Sequence, residues 1–240
     1  MAMQQVKQLQ ILKKRVICMK KIVVAIDGPA GAGKSTIAKA VAERLGYAYI
    51  DTGAMYRSVT WKFLQLGWDF SEEKLVDLAH TMVIEFRPEA KVNRVFVDGA
   101  EVTEAIRTPQ VTKLVSRVAA IGGVRAAMVV QQRRMGEAGG VLMDGRDIGT
   151  VVFPQAELKI FLTASVEERA RRRYAEMVAK GQGVDLQQLQ AEIADRDRQD
   201  SERAISPLKQ AEDALLLDTS NMSIEEVTAK IMALVQEREQ

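Results

Sequence analysis

The sequence predicts an α/β protein in which helices wrap a parallel sheet of about five strands. The main observation is that short, wholly apolar segments alternate along the chain with longer segments whose apolar residues recur at helical spacing. A second observation is a glycine-rich segment, residues 28–35, that joins the first apolar segment to the first helical one. A third is a stretch at about residues 80–123 that breaks the alternation and predicts a small antiparallel β insert.

The first strand and the first helix are the most clearly marked elements. Residues 22–26 are all apolar, as expected for a strand that is buried on both faces. A helix is predicted over Lys34–Leu45, because Ile37 and Val41 share one face with the apolar residue that ends this segment. Gly46 follows directly and is a common residue at a helix end.

The rest of the sheet and the last helix follow from the same patterns. A helix extends through Trp61 and Leu64, and the last helix begins after Ser223, where Glu226 completes a capping box. The remaining parallel strands are predicted at residues 47–50, 141–143, 158–162 and 214–217. The last helix is expected to bury Ile224, Val227, Ile231 and Leu234.

The antiparallel insert is predicted from alternating apolar and polar residues. Asp98 and Gly99 form the dipeptide typical of a two-residue hairpin turn. A helix follows, and its start is marked by Thr108 and Pro109. The three strands are expected at residues 82–86, 94–97 and 100–103. The apolar face of the helix contains Val111, Leu114, Val115 and Val118.

Two further segments differ from the rest of the chain. Residues 167–203 are crowded with arginine and acidic residues on a long helical pattern. Residues 1–18 are rich in Gln and Lys, lack the features of a secretory signal and precede a second methionine, Met19. We expect residues 1–18 to be a disordered extension, with a partner-binding amphipathic helix as the alternative, and residues 19–240 to form the folded domain.

Composition and charge exclude several classes of protein. The 34 basic and 32 acidic residues give a net charge of +2, which excludes a generally cationic nucleic-acid coat. The one cysteine, Cys18, excludes an internal disulfide and favours a reducing compartment, while the one histidine, His80, argues against a Ser-His-Asp triad. No apolar run approaches the roughly 20 residues that cross a bilayer, so a soluble, cytoplasmic protein is expected.

The strongest functional signal is the glycine-rich segment, which fits the phosphate-binding pattern G-x-x-x-x-G-K-[ST] between a strand and a helix. Its glycines allow backbone N–H groups to surround phosphate oxygens, and the helix N-terminus adds its positive end. In this pattern Lys34 reaches the β- and γ-phosphates and the Ser35 hydroxyl binds magnesium. The nucleoside triphosphate site is therefore predicted to contain Gly28, Pro29, Ala30, Gly31, Ala32, Gly33, Lys34 and Ser35.

A second polar segment follows the strand predicted at residues 141–143. Asp144 comes directly after three apolar residues and is the expected acidic partner of magnesium. Arg146 and Asp147 then lie at the carboxyl edge of the sheet, where ligands bind in folds of this kind. A polar loop without a binding role is the alternative.

The phosphate site leaves open which kind of phosphate-transferring or phosphate-binding protein this is. The Asp-x-x-Gly and Asn-Lys-x-Asp motifs of GTPases are missing. A nucleoside monophosphate acceptor is already largely a dianion at neutral pH, so it needs arginines and no general base. The sequence offers Arg57, Arg107, Arg125, Arg146, Arg169, Arg172, Arg196 and Arg203.

Several alternatives remain open at this point. The chain could phosphorylate another small molecule, as uridylate, adenylate or shikimate kinases do. It could also be a non-catalytic protein that binds nucleotides, or an RNA-binding protein that uses the arginine cluster at residues 169–173. Acidic neighbours such as Glu167 and Glu176, and a lack of aromatic residues beyond Tyr174, argue against RNA binding.

Four separated motifs resemble those of bacterial-type cytidylate kinases. They are residues 28–36, ending in Lys-Ser-Thr; residues 51–57, Asp-Thr-Gly-Ala-Met-Tyr-Arg; residues 144–154, beginning Asp-Gly-Arg-Asp; and residues 196–203, Arg-Asp-Arg-Gln-Asp-Ser-Glu-Arg. The resemblance extends from about Met19 to the C-terminus. It implies a P-loop kinase fold with a monophosphate-binding insert at about residues 80–123 and a helical lid at about residues 167–203. It also implies transfer of the ATP γ-phosphoryl group to CMP and dCMP, with Mg²⁺.

The same resemblance implies roles for individual residues. Thr36 would belong to the ATP site, Arg172 would lie near the ATP base, and Ser35 and Asp144 would hold magnesium. The residues implied in phosphate transfer are Lys34, Arg146 and Arg196. Those implied in acceptor binding are Thr52, Arg57, Ser116, Arg125, Asp147, Asp200 and Arg203. We expect a monomer that binds these small molecules and neither nucleic acids nor membranes.

Overall fold

A computed structural model describes residues 21–89, 92–179, 181 and 183–239. Its strands are β1 (Val23–Asp27), β2 (Ala48–Asp51), β3 (Ile84–Glu89), β4 (Val92–Val97), β5 (Ala100–Glu101), β6 (Val141–Gly145), β7 (Leu158–Thr163) and β8 (Leu215–Asp218). A parallel sheet has the order β2-β6-β1-β7-β8, and an antiparallel sheet has the order β3-β4-β5. The predicted fold class is confirmed. Residues 1–18, expected to be an extension, lie outside the described residues.

The helices cover both faces of the parallel sheet. They are α1 (Lys34–Leu45), α2 (Thr52–Gln65), α3 (Glu72–Thr81), α4 (Pro109–Ala119), α5 (Gly122–Gly136), α6 (Val166–Ala179), α7 (Leu186–Glu202) and α8 (Ile224–Arg238). Side chains alternate along β1, so Val24 and Ile26 pack with α1 and α8, whereas Ala25 packs in a second cluster that contains α2 to α5. Helices α6 and α7 pack mainly on each other and bury few residues.

The antiparallel sheet confirms the predicted insert and its turn. Asp98 and Gly99 connect β4 to β5 with φ angles of 50° and 82°, the left-handed pair that a tight hairpin turn requires. Strand β5 is shorter than predicted: Val102 N–H still donates to Val95 O, but Val95 N–H donates to the Thr103 hydroxyl and not to a backbone carbonyl. The α4 helix begins as predicted, with the Thr108 side chain capping it.

The structure divides one predicted helical region into two helices and corrects one expected core residue. The long pattern at residues 167–203 forms two helices, because the chain turns at Gly181, whose φ is 72°, and Asp185 then caps the start of α7. Ile224 was expected in the core but is 58% exposed, because as the first residue of α8 it points away from the sheet. The predicted capping box at Ser223 and Glu226 is confirmed.

In the described part of the chain, no single helix is long and apolar enough to cross a membrane. The pair α4 and α5 meets the length and composition requirement only when the two are combined, and they are bent by 96° at their junction. Buried residues of both helices belong to the apolar cluster against the sheet, including Val115, Val118, Val124 and Met128.

Gly28 marks the closest approach between the glycine-rich segment and the sheet. Its φ is 145°, and a Cβ atom at this position would lie 1.9 Å from the carbonyl oxygen of Leu162 in β7. A side chain would therefore have to displace the backbone of a central strand. Glycine is required here both by conformation and by space.

We expect Gly28→Ala to lower the free energy of unfolding by more than about 3 kcal/mol, because it combines an unfavourable φ with a backbone clash. Gly46→Ala is the matched control, since Gly46 has a φ of 65° but a methyl group added to it would meet no atom within 4 Å. That variant should lose only about 1 kcal/mol. Urea unfolding of both proteins measures the difference, and equal losses would contradict the role of the close approach.

Candidate active site

The pairing of β1 with β6 brings two polar segments together. Asp27, the last residue of β1, pairs with Gly145, the last residue of β6. The segments that leave these strands therefore begin side by side at the carboxyl edge of the sheet. We call residues 28–35 the phosphate loop and residues 144–149 the acidic loop.

Asp27 fixes the position of the acidic loop. Its two carboxylate oxygens accept hydrogen bonds from the backbone N–H groups of Ile148 (2.8 Å) and Gly149 (2.7 Å). Burial raises the pKa of Asp27 to about 6, and the two N–H donors oppose that rise. One side chain at the end of β1 thus orients the neighbouring loop, which carries Arg146 and Asp147.

Two cations bind carbonyl groups of the phosphate loop. Lys34 Nζ donates to Pro29 O at 2.7 Å, and Arg169 Nη1 donates to Ala30 O at 2.9 Å. Burial, followed by the positive charge of Arg146, lowers the pKa of Lys34 to about 7. A phosphate bound in this loop would offset both effects and favour the protonated lysine.

Asp144 lies beside the phosphate loop, as predicted. Its Oδ2 accepts a hydrogen bond from Ser35 Oγ at 3.0 Å, and its Oδ1 accepts one from the Tyr49 hydroxyl at 2.8 Å. Burial, together with the nearby charge of Asp51, raises the pKa of Asp144 to about 6. The carboxylate is therefore buried, hydrogen-bonded at both oxygens and adjacent to the helix start that would receive phosphates.

Ser35 and Asp144 fit a magnesium ion that keeps much of its water shell. Mg²⁺ prefers oxygen donors and is usually held by one or two protein groups together with substrate phosphates. The two side chains supply hard oxygens within hydrogen-bond distance of each other. The described residues contain no group of three or more His, Cys, Asp or Glu side chains that could hold a metal by themselves.

A cleft lined in part by Arg146 and Asp147 of the acidic loop, here called the acceptor cleft, gathers all residues expected to bind the acceptor. The predicted residues that line it are Thr52, Arg57, Ser116, Arg125, Arg146, Asp147, Arg196, Asp200 and Arg203. They come from α2, α4, α5, the acidic loop, α7 and the residue after α7. The cleft also includes Gly53, Tyr56, Val115, Ala119 and Gly145.

Asp147 lies between two arginines in the acceptor cleft. Arg125 Nη2 donates to its Oδ2, and Arg203 Nη2 lies 3.8 Å from its Oδ1. The Arg125 guanidinium also lies over the ring of Tyr56, 5.3 Å from the centroid. Among the described residues, Arg125 Nε, Arg203 Nη2 and the Tyr56 hydroxyl are buried without a hydrogen-bond partner. The cleft therefore has hydrogen-bonding capacity that its own residues do not use.

The phosphate-side arginines differ in how they are paired. Arg146 Nε donates to Asp200 Oδ2 at 2.8 Å, and this pairing holds the pKa of Asp200 below its ordinary value although burial opposes the shift. Arg196 has neither an ion pair nor a hydrogen bond with any described residue, and burial lowers its pKa. Burial, followed by the charge of Arg196, also lowers the pKa of Arg57 to about 10. A bound anion would stabilise the charged forms of Arg196 and Arg57 and would oppose the lowering of their pKa values.

Arg169 joins the phosphate loop to the two outer helices. Besides its bond to Ala30, it donates from Nε to Ala164 O at 2.9 Å and from Nη2 to Asp197 Oδ2 at 2.6 Å. Its side chain is almost fully buried. The guanidinium thus contacts the phosphate loop, the end of β7 and helix α7 at once.

The other residues expected in the donor site lie at its border. Arg172 donates to Thr219 O at 2.7 Å, and its Nη1 would lie 4.0 Å from a Cβ atom on Gly33. Thr36 is exposed and, with Ser35, lines a neighbouring cleft between α1 and the antiparallel sheet. Arg172 is therefore beside the phosphate loop, as the expected position near ATP requires.

Three contributors to this site were not assigned a role from the sequence. Asp27 follows a buried strand just as Asp144 does, and that parallel is the signal that could have identified it. Tyr49 places a hydroxyl group between Ala48 and Ile50, two apolar residues of β2. Arg169 was counted among the available arginines, but nothing in the sequence distinguishes it from its exposed neighbours.

Comparison with solved structures supports the fold. A crystal structure of an uncharacterized protein from Eubacterium ventriosum aligns with a TM-score of 0.50 and covers 90% of this chain and 99% of that chain. Sequence identity in that alignment is 11%, so the likeness concerns the fold alone.

Comparison of sequences identifies the family. A cytidylate kinase from Anoxybacillus flavithermus is 58% identical over 220 residues, which are 91% of this chain and 98% of that protein. A cytidylate kinase from Exiguobacterium sibiricum is 55% identical over 219 residues, again 91% of this chain and 98% of that protein. The family model described as cytidylate kinase matches residues 24–237. The chain belongs to the cytidylate kinase family.

Proposed function

We propose that this protein transfers the γ-phosphoryl group of ATP to CMP and dCMP, giving ADP and the corresponding diphosphate. The observation that carries the proposal is that the acidic loop both contacts the phosphate loop and lines the acceptor cleft. Asp144 of that loop contacts Ser35, while Arg146 and Asp147 line the cleft. Membership of the family, and the names of its similar relatives, support the same activity.

The acceptor cleft suits an anion and offers no evident general base. Both of its carboxylates are engaged by arginines, Asp147 by Arg125 and Asp200 by Arg146. Arg57 and Arg196 remain without a carboxylate partner among the described residues. A nucleotide phosphate with a second pKa of about 6 is largely a dianion at neutral pH and can attack without losing a proton. The cleft therefore fits an acceptor whose nucleophile is a phosphate.

Catalysis in this arrangement depends on positioning and electrostatics. Lys34, which binds Pro29 O in the structure, would exchange that carbonyl for the phosphates of ATP. Arg146 and Arg196 line the acceptor cleft, and the proposal assigns them the neutralisation of the group in transfer. Ser35 and Asp144 would hold magnesium, which would supply further neutralisation of phosphate charge when bound. Movement of α6 and α7 toward the site would exclude water as a competing acceptor.

The hydrogen-bonding groups of the acceptor cleft also suggest how cytosine is recognised. Arginine donates hydrogen bonds and cannot accept them, so Arg125 and Arg203 suit the ring O2 and N3 of the base, with Ser116 close by. The amino group of cytosine needs an oxygen acceptor. Asp147 lies between these arginines and is assigned that role, whereas Asp200 is bonded to Arg146 and is assigned to the ribose.

A panel of acceptors in a coupled ADP-release assay tests the proposed activity. CMP and dCMP should stimulate ATP turnover far more than UMP, AMP or shikimate. A preference for one of the other acceptors would replace the proposal with another kinase activity. Turnover that no acceptor stimulates would instead support a non-catalytic nucleotide-binding protein.

We expect Lys34→Ala to lower kcat by about 10²–10³-fold or more, because the ammonium group acts on charge that develops during transfer. The fold should be retained, since the Lys34 head group contacts a loop carbonyl and not the apolar core. Lys230→Ala, at an exposed position on α8, is the control and should have normal turnover. Near-normal turnover in a folded Lys34→Ala protein would contradict the role of the phosphate loop.

We expect Asp147→Ala to lower kcat/KM for CMP far more than for UMP, because only cytosine presents an amino group to this carboxylate. The measurement is the ratio of kcat/KM for the two nucleotides. Asp147→Asn is the conservative companion, since an amide keeps the shape of the side chain and can also donate to the keto group of uracil. It should likewise lower the ratio of kcat/KM for CMP to kcat/KM for UMP.

Arg125→Met separates base recognition from general damage to the cleft. It removes donors that both pyrimidines use, so kcat/KM should fall for CMP and UMP alike. If the Asp147 variants also lower kcat/KM for both nucleotides by the same factor, Asp147 would not be the residue that distinguishes the bases.

A further inference from the structure

Tyr49 makes contacts within the site but has no assigned role in the proposed reaction. Its hydroxyl donates to Asp144 Oδ1 at 2.8 Å, while the other oxygen of that carboxylate accepts from Ser35. The two donors approach different oxygens, so together they fix the rotation of the carboxylate about its own axis. Asp144 is buried, and no other described side chain donates a hydrogen bond to its carboxylate.

The strand register explains how Tyr49 reaches Asp144. Strand β2 pairs with β6 so that Tyr49 lies opposite Leu142 and Asp51 opposite Asp144. Side chains two residues apart on a strand share a face, which places the tyrosine beside the carboxylate. The backbone of the same residue is also held, because Asn93 Nδ2 of β4 donates to Tyr49 O at 2.8 Å. Tyr49 is thus fixed at its backbone by the antiparallel sheet and at its hydroxyl by the acidic loop.

We propose that Tyr49 is the positioning residue of the magnesium-side carboxylate: it holds Asp144 Oδ1, so that Oδ2 stays directed toward Ser35 and the metal. The inference rests on the proposed function, in which Ser35 and Asp144 hold Mg²⁺ with ATP. Side chains that orient a metal-side carboxylate from behind contribute to metal affinity without touching the metal.

The decisive variant is Tyr49→Phe, which removes the hydroxyl and keeps the ring. The matched control is Tyr47→Phe, which removes a hydroxyl two residues earlier. The Tyr47 hydroxyl accepts from Ile22 N–H and donates to Glu239, away from the acidic loop. Any general effect of losing a buried phenol should therefore appear in both variants, whereas an effect on the metal should appear only in Tyr49→Phe.

The measurement is calorimetric binding of a non-hydrolysable ATP analogue, once with saturating Mg²⁺ and once with EDTA. In the unaltered protein, Mg²⁺ should tighten analogue binding. In Tyr49→Phe the gain in affinity that Mg²⁺ produces should be smaller by about tenfold or more. The dissociation constant measured in EDTA should be unchanged. Tyr47→Phe should keep the full gain. An inactive fraction of the sample lowers the binding stoichiometry, and a reversibly unfolded fraction raises both dissociation constants by the same factor, so the ratio of the two constants is unchanged.

The possible outcomes separate this inference from the proposed function. An equal Mg²⁺-dependent gain in Tyr49→Phe and in the unaltered protein would overturn the positioning role. The same loss in Tyr47→Phe would also overturn it, since the effect would then be general. If the unaltered protein bound the analogue equally with and without Mg²⁺, the proposed metal site itself would fail. Acceptor-stimulated turnover, measured separately, would still report on the kinase activity.

Discussion

The site depends on the register between β1 and β6. This register puts Asp27 opposite Gly145 and therefore places the phosphate loop and the acidic loop next to each other. Asp27 strengthens the arrangement, because its carboxylate binds two successive N–H groups of the acidic loop. Both strands are buried on both faces, so apolar packing fixes their register. A slip along either strand would separate the Asp144 carboxylate from Ser35.

The cations of the site fall into two groups with different consequences. Arg125 and Arg169 are buried in ion pairs, with Asp147 and Asp197, and such pairs stabilise an arrangement only while both partners are present. Lys34 is buried and Arg196 is half-buried, neither is bonded to a carboxylate among the described residues, and removal from solvent lowers the pKa of each. The first group holds the shape of the site. The second group carries positive charge that no bonded carboxylate balances, and incoming phosphates can neutralise it.

Local patterns in the sequence were sufficient for much of the fold. Apolar segments, caps and the Asp98-Gly99 turn predicted most elements, because each signal lies within a few residues. The Tyr49–Asp144 bond was not predicted, since its partners are 95 residues apart and meet only through strand register. Ile224 was wrongly placed in the core because periodicity alone does not show where a helix leaves the sheet. The acceptor-binding roles assigned by resemblance stay predictions, although the structure gathers those residues in one cleft.

The strand order also has a consequence for how the chain folds as it is synthesised. The first two strands made, β1 and β2, are not neighbours, because β6 lies between them and β7 is the other partner of β1. The parallel sheet cannot begin to form until the ribosome has released residues well beyond the middle of the chain. The β3–β4–β5 sheet involves only near neighbours and is free to form earlier. Until β6 is made, the phosphate loop lacks the neighbouring strand that carries Asp144. A bound nucleotide therefore cannot stabilise the nascent chain through the complete site before that point.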